Sequence, residues 1–283
     1  MLLRKQAGSH KAINTWIIYV ALPAVSFKYL PHIQWNADML IPLLAPLTVW
    51  LGAWIYITYY YRRANLGSQQ IGSLKLTAGL SNTSFVGFPL ITAWFTPKDI
   101  TIGIICDQVT FILLSTAGIV VAINSAGTKK LSVSAVANRL LAFPPFIGCV
   151  LALTLPSFID LSPLEPLFDK LASTVGPLAL FSIGMQLKLD GWKEYMSEIM
   201  VALFYKLLLA PLIVLLVLIA LNITGNIARI TVFEMAMPTL LSAGIVSEEY
   251  GLDAKLSSLI TGIGIILALV TSALWYYVVM WLL

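Results

Sequence analysis

Apolar residues run along this chain in stretches of helix-spanning length, separated by short polar connections. At about 20 residues per crossing of a hydrocarbon layer, they predict nine spans, at 12–30, 40–61, 71–95, 100–123, 136–157, 166–187, 197–221, 227–248 and 256–282. The third and eighth are interrupted near their midpoints by proline, as Asn82-Thr-Ser-Phe-Val-Gly-Phe-Pro89 and Met235-Ala-Met-Pro238-Thr-Leu-Leu-Ser-Ala-Gly244. In hydrocarbon every backbone N–H and C=O needs a partner within the protein, so unwound backbone at that depth survives only where it is buried or lines a solvated cavity. A matched pair of broken spans in two halves of a chain points to a transport site.

Composition narrows the class. With 59% hydrophobic and 11% charged residues among 283, and a mean hydropathy of +0.90, there is too little polar surface to coat a soluble globule, and an all-α integral membrane protein is expected. The net charge of +4 sits in the short connections, where it sets topology. It builds no basic face for nucleic acid. Cys106 and Cys149 lie inside apolar runs as small hydrophobes, so no disulfide frame or metal site is expected. The N-terminal Met1-Leu-Leu-Arg-Lys-Gln lacks the apolar stretch and cleavage site of a signal peptide, so the first apolar segment is expected to remain in the mature protein.

The halves carry an internal repeat. Leu43-Leu-Ala-Pro46-Leu47 recurs as Leu208-Leu-Ala-Pro211-Leu212, and prolines follow in the same order, Pro23, Pro46 and Pro89 against Pro177, Pro211 and Pro238. Spans one to four then correspond to six to nine in opposite orientation, an inverted repeat. Residues 1–124 form the first unit, 125–135 a cytoplasmic connection and 136–283 the second unit. Span five has no partner ahead of residue 1. Met1-Leu-Leu-Arg-Lys reads like the cytoplasmic end of such a helix, which leaves open a misplaced start or a natural loss.

These features resemble the auxin efflux carrier family of bacteria, archaea and plants. The resemblance rests on Ala21-Leu-Pro23-Ala-Val-Ser-Phe27, the Asn82 to Pro89 segment, Pro177-Leu-Ala-Leu-Phe-Ser-Ile-Gly184-Met, Lys206-Leu-Leu-Leu-Ala-Pro211, Met237-Pro238-Thr239 and Glu248-Glu-Tyr-Gly251. It implies a fold similar to bile-acid and sodium symporters, with ten spans in two inverted repeats of five, a scaffold domain, and a transport domain whose broken helices cross at mid-membrane. It also implies a permease for small carboxylates such as malate or malonate. Carried over span by span, spans one, five and six would form the scaffold, with any homodimer surface, and spans two to four and seven to nine the moving unit. The first family span is absent here, and Ser125 to Ala135 is short beside the long loop of many plant hormone exporters.

A helix broken at its centre frees carbonyls at the end of its first half and N–H groups at the start of its second. Carbonyl ends suit a cation; N–H ends, with the dipole behind them, suit a carboxylate. Carbonyl donors are expected around Asn82 and Met235, and amide donors around Leu90 and Thr239. The candidate substrate residues are Asn82, Thr83, Ser84, Gly87 and Pro89 at one break, and Pro238, Thr239 and Ser242 at the other. Asp107, inside the fourth span, is the candidate for proton coupling. Glu234, one turn before Pro238, is the candidate for a sodium site or a partner of Arg229. Lys75 and Lys206 read as snorkelling lysines or anion attractors, Glu248 and Glu249 as solvated or gating carboxylates. No cofactor is implied beyond a coupling Na+ or H+, and the expected partners are a small organic anion and membrane lipid.

No His-Glu-x-x-His, phosphate loop or Gly-x-Gly-x-x-Gly occurs, so neither an enzyme nor an ATP-driven pump is expected. The reading is a secondary active carrier of a small organic anion, such as a dicarboxylate or an auxin-like weak acid, working by elevator-like or rocking access. The alternatives are a sodium-coupled symporter of larger amphipathic acids and a non-transporting membrane sensor.

A cytoplasmic N-terminus places Lys28, Lys98, Lys170 and Arg229 outside and the other 13 of the 17 lysines and arginines inside. The C-terminus is then external. A reporter fused after Leu283 should accordingly be active only outside the cytoplasm, and a tag at Gly127 only inside. A cytoplasmic C-terminus would reverse the charge partition and remove the repeat pairing with it.

Overall fold

The structure, a computed structural model, describes residues 9–33, 35–62, 66–127, 133–186 and 190–283. Met1 to Lys5, and part of the connection at 125–135, lie outside the described residues. Helix dominates, in thirteen segments among the described residues: α1 His10–His32, α2 Ala37–Tyr60, α3 Ser68–Gly79, α4 Thr83–Trp94, α5 Pro97–Ala126, α6 Val133–Leu141, α7 Pro144–Ser157, α8 Glu165–Ser173, α9 Val175–Gln186, α10 Trp192–Ala220, α11 Asn226–Met235, α12 Leu241–Glu249 and α13 Ala254–Leu282. Five of them, α1, α2, α5, α10 and α13, are long and apolar enough to cross a membrane unbroken.

The surface explains the sequence pattern. On α2, Leu40, Leu44, Leu51, Ile55 and Tyr59 form an exposed apolar stripe, and on α13 Ile266, Val270, Leu274, Tyr277 and Trp281 do the same. Polar residues turn inward instead: Ser73, Thr77, Ser81, Asn82 and Thr83 are all buried. Such an arrangement suits lipid outside and hydrogen bonding inside.

Packing separates two groups of helices. α1 lies on α7, α8 and α9; a second body joins α2, α3, α5, α10, α11, α12 and α13, with α4 and α5 touching both. Contact between α1 and α7 is close because Gly148 has no side chain, and a Cβ there would lie 2.8 Å from the Cα of Pro23.

Proline acts differently from a simple break. Pro23, Pro89 and Pro211 each stand two residues after a π-turn, at Ile17–Ala21, Thr83–Gly87 and Tyr205–Leu209. A proline lacks the N–H and crowds the carbonyl four residues earlier, and the widened turn relieves both while the helix continues. In α10 the carbonyl so released is that of Leu207, and the Trp275 indole donates to it at 2.8 Å. Trp275 is therefore a buried structural donor, whereas Trp35 and Trp281 are exposed.

Gly148→Val should push α1 away from α7 and destabilise the fold by about 1–3 kcal/mol. Thermal unfolding in nanodiscs reads this as a lower midpoint, and an unchanged midpoint would mean that the two backbones do not touch.

Candidate functional site

The two breaks meet. α3 ends at Gly79 and α4 begins at Thr83; α11 ends at Met235 and α12 begins at Leu241. Ser81 and Thr239 face each other in an antiparallel bridge. The Asn82 N–H donates to the Pro238 carbonyl at 2.8 Å, and the Leu240 N–H to the Leu80 carbonyl at 3.0 Å. Each unwound segment thus supplies the partner that the other lacks.

The position of the first break departs from expectation. Pro89 lies two turns beyond the bridge, in the first turn of the proline-bearing part of α4, while Pro238 adjoins the bridge. The two prolines are not in register, and their shared order in the sequence does not mark equivalent positions. Amide donors accordingly begin at Thr83 and not at Leu90. The Asn82 carbonyl is not a free helix end, because it accepts from Gly87 within the π-turn at 3.1 Å.

Around the first break, Asn82 caps α4, its Oδ1 accepting from the Phe85 N–H at 3.2 Å while its Nδ2 is buried without a partner. The Thr83 hydroxyl donates to Asp107 at 2.7 Å, and the Ser84 hydroxyl and N–H face the same carboxyl. Asp107 is thereby held at the positive end of α4. Around the second break, the Thr239 hydroxyl donates to the Thr77 carbonyl at 2.7 Å, so it serves the end of α3. α12 differs from α4 in that its cap residue is Leu240 and no side chain caps it.

Ser84, Asp107 and Ser242 share the wall of a cavity of about 70 Å³, together with Asn14 of α1, Phe143 and Gln186. It lies between the α1 group and the crossing. A further cavity of about 190 Å³ shares Gln186, Leu241 and Ile245 with it and reaches His10 and Glu248. On the other side of the crossing, a cavity of about 320 Å³ reaches Phe88, Pro89 and Thr92. It shares Lys28, Tyr29 and Pro97 with one of about 720 Å³ at the Lys28 end.

Glu234, beside α4 but off these cavities, is wholly buried, with neither carboxyl oxygen hydrogen-bonded. Among the described residues it pairs with no arginine, and it is not exposed to solvent. Gly87 makes the room: a Cβ there would lie 2.5 Å from both Glu234 oxygens, and one at Gly103 would lie 3.1 Å from Oε1. The space that Gly87 leaves is thus filled by a side chain from the other half of the chain.

Lys206 is the residue that the sequence pattern undervalued. It does not snorkel, being wholly buried with its Nζ donating to the Ser81 hydroxyl at 2.6 Å and to the Met235 carbonyl at 3.2 Å. Its place near the middle of the span 197–221, out of reach of either end, was the available signal. Lys75 lies over the Trp54 ring at 4.9 Å, and Arg139 donates to Glu249 at 3.3 Å.

A family described as Membrane transport protein matches residues 3–276. An "Uncharacterized transporter" of Methanothermobacter thermautotrophicus is 26% identical, over 93% of this chain and 87% of its own. A Rhizobium meliloti protein named "Putative malonate transporter" is 25% identical over 84% and 77%. The "Uncharacterized transporter YfdV" of Escherichia coli is 24% identical over 95% and 88%.

Gly87→Ala should drive its new methyl into Glu234 and lower thermal stability by about 1–3 kcal/mol. Removing the obstructing carboxyl in Gly87→Ala/Glu234→Ala should recover part of that loss, a coupling that a double-mutant cycle reads directly. Additive effects would mean that the two side chains are not in contact.

Proposed function

The chain belongs to the membrane transport protein family, the auxin efflux carriers that its motifs resemble, and from that premise we propose that it is a secondary active carrier of a small organic anion. The observation that carries the reading is the uncapped start of α12 beside the small cavity. A helix N-terminus offers N–H groups and a positive dipole end to a carboxylate. At α4 that seat is taken by Asp107; at α12 no side chain among the described residues takes it, and Ser242 adds a hydroxyl there.

The substrate carboxylate sits at Leu241 and Ser242 in this reading, facing Ser84 and Gln186. A cavity of about 70 Å³ is far below the roughly 300–1,000 Å³ of small-molecule sites, so the body that holds the crossing has to move relative to the α1 group for substrate to enter. Cavities that approach the crossing from both ends support such alternating access. In this view α1 and α6–α9 act as scaffold, and the remaining helices as the moving unit. The nine spans and the inverted repeat belong to the same proposal. They are supported by the reciprocal bridge, and by α3 packing on α13 as α11 packs on α5. Asp107 and Glu234 remain the candidates for coupling to protons or sodium. A relative's name makes malonate the first substrate to try.

Purified protein in liposomes preloaded with malonate should exchange it for labelled external malonate, or for another member of a small-carboxylate panel. Ser242→Trp, which fills the cavity from its rim, should lower the exchange rate by at least ten-fold with little change in the unfolding midpoint. Absence of exchange with every acid tested, or full exchange by Ser242→Trp, would remove the substrate seat from α12.

A further inference from the structure

Two fully buried ionisable side chains, Lys206 and Glu234, meet the crossing without reaching its cavity. Met235 ends α11, and its carbonyl is one of those that a helix end leaves without an intrahelical partner, at the negative end of the dipole. Carriers with broken helices offer such ends to a coupling sodium ion. Here the place is filled from within, by the Lys206 ammonium at 3.2 Å, which is also bonded at 2.6 Å to Ser81 in the opposite break. A sodium ion would compete for the same oxygens against a cation tethered beside them.

The charged and titratable groups facing Glu234 are Lys206 from α10, and Asp107 and Cys106 from α5; Arg229 lies five residues earlier on its own helix. Asp107 accepts a hydrogen bond from the Thr83 hydroxyl. Glu234 thus has one buried ammonium, Lys206, and one buried carboxyl, Asp107, as charged neighbours, and neither of its own oxygens has a donor. An ionised carboxylate so placed costs several kcal/mol, and a bound proton removes that charge.

We infer that Lys206 stands in place of a coupling sodium ion and that Glu234 is the proton-binding group of the crossing, so that the carrier is sodium-independent. This rests on the carrier reading and assigns its coupling ion. Glu234 takes a proton from water on one side as COO⁻ becomes COOH, and returns it when the crossing is exposed to the other.

The test uses the full chain in nanodiscs with no substrate added, so its failure is separate from a failure of malonate exchange. Infrared difference spectra across a pH titration should show a buried carboxylic-acid C=O band that is missing in Glu234→Gln and retained in Asp107→Asn. Replacing choline by sodium at constant ionic strength should leave the wild-type unfolding midpoint unchanged. In Lys206→Ala, which vacates the seat between Ser81 and Met235, sodium should raise the midpoint by roughly 2 °C or more, and Lys206→Ala/Glu234→Gln, which removes the nearby carboxyl, should lose that rise. If Lys206→Ala does not fold, Lys206→Ser takes its place, and the infrared comparison decides by itself. A sodium-dependent rise in the wild type, or a carboxylic-acid band that survives Glu234→Gln and vanishes in Asp107→Asn, would overturn the assignment.

Discussion

Two backbone hydrogen bonds, from Asn82 to Pro238 and from Leu240 to Leu80, hold the centre of this protein. Neither unwound segment could exist alone among apolar helices, because each exposes peptide groups that cost several kcal/mol when buried unpaired. Set against each other, they satisfy one another reciprocally. The Thr239 hydroxyl on the Thr77 carbonyl and the Asn82 cap on Phe85 extend the same satisfaction into the ends of α3 and α4. Chain reversal at the crossing is thereby compatible with a wholly buried position.

That arrangement concentrates four helix ends in one place, and their dipoles demand charge. The protein answers with its own side chains at two of them. Lys206 meets the carbonyl end of α11, and Asp107 meets the amide end of α4. The start of α12 is left uncapped and beside a cavity. The two breaks therefore differ in charge: one amide end is occupied by a carboxylate of the chain, and the other carries no side-chain cap.

Some of this was legible in the chain. Helix-length apolar runs, the sparse charge and the two proline-bearing segments fixed the class and brought Asn82, Thr83, Ser84, Asp107, Glu234 and Thr239 into view, and these do gather around the crossing. Register was not legible. Proline marks a place where a helix has to give way, but at Pro23, Pro89 and Pro211 it gives way by a π-turn and runs on. Composition alone does not distinguish a widened turn from a break. Nor does it tell which hydroxyls are already spent: Thr239 serves a carbonyl of α3, while Ser242 keeps its place on the cavity wall.

By itself the sequence determined that helices would form, which stretches would be apolar throughout, and that two of them would be disrupted, because these depend on local propensity and on the periodicity of burial. Tertiary structure alone decided what each polar residue in those stretches does. Lys206 lies 125 residues from Ser81 in sequence and bonds to it, and Gly87 makes room for a carboxylate from the other half of the chain. Such pairings follow from the packing of one broken helix on another. Spacing along a single segment does not encode them, because the energy that selects them is the cost of leaving distant buried groups unpaired.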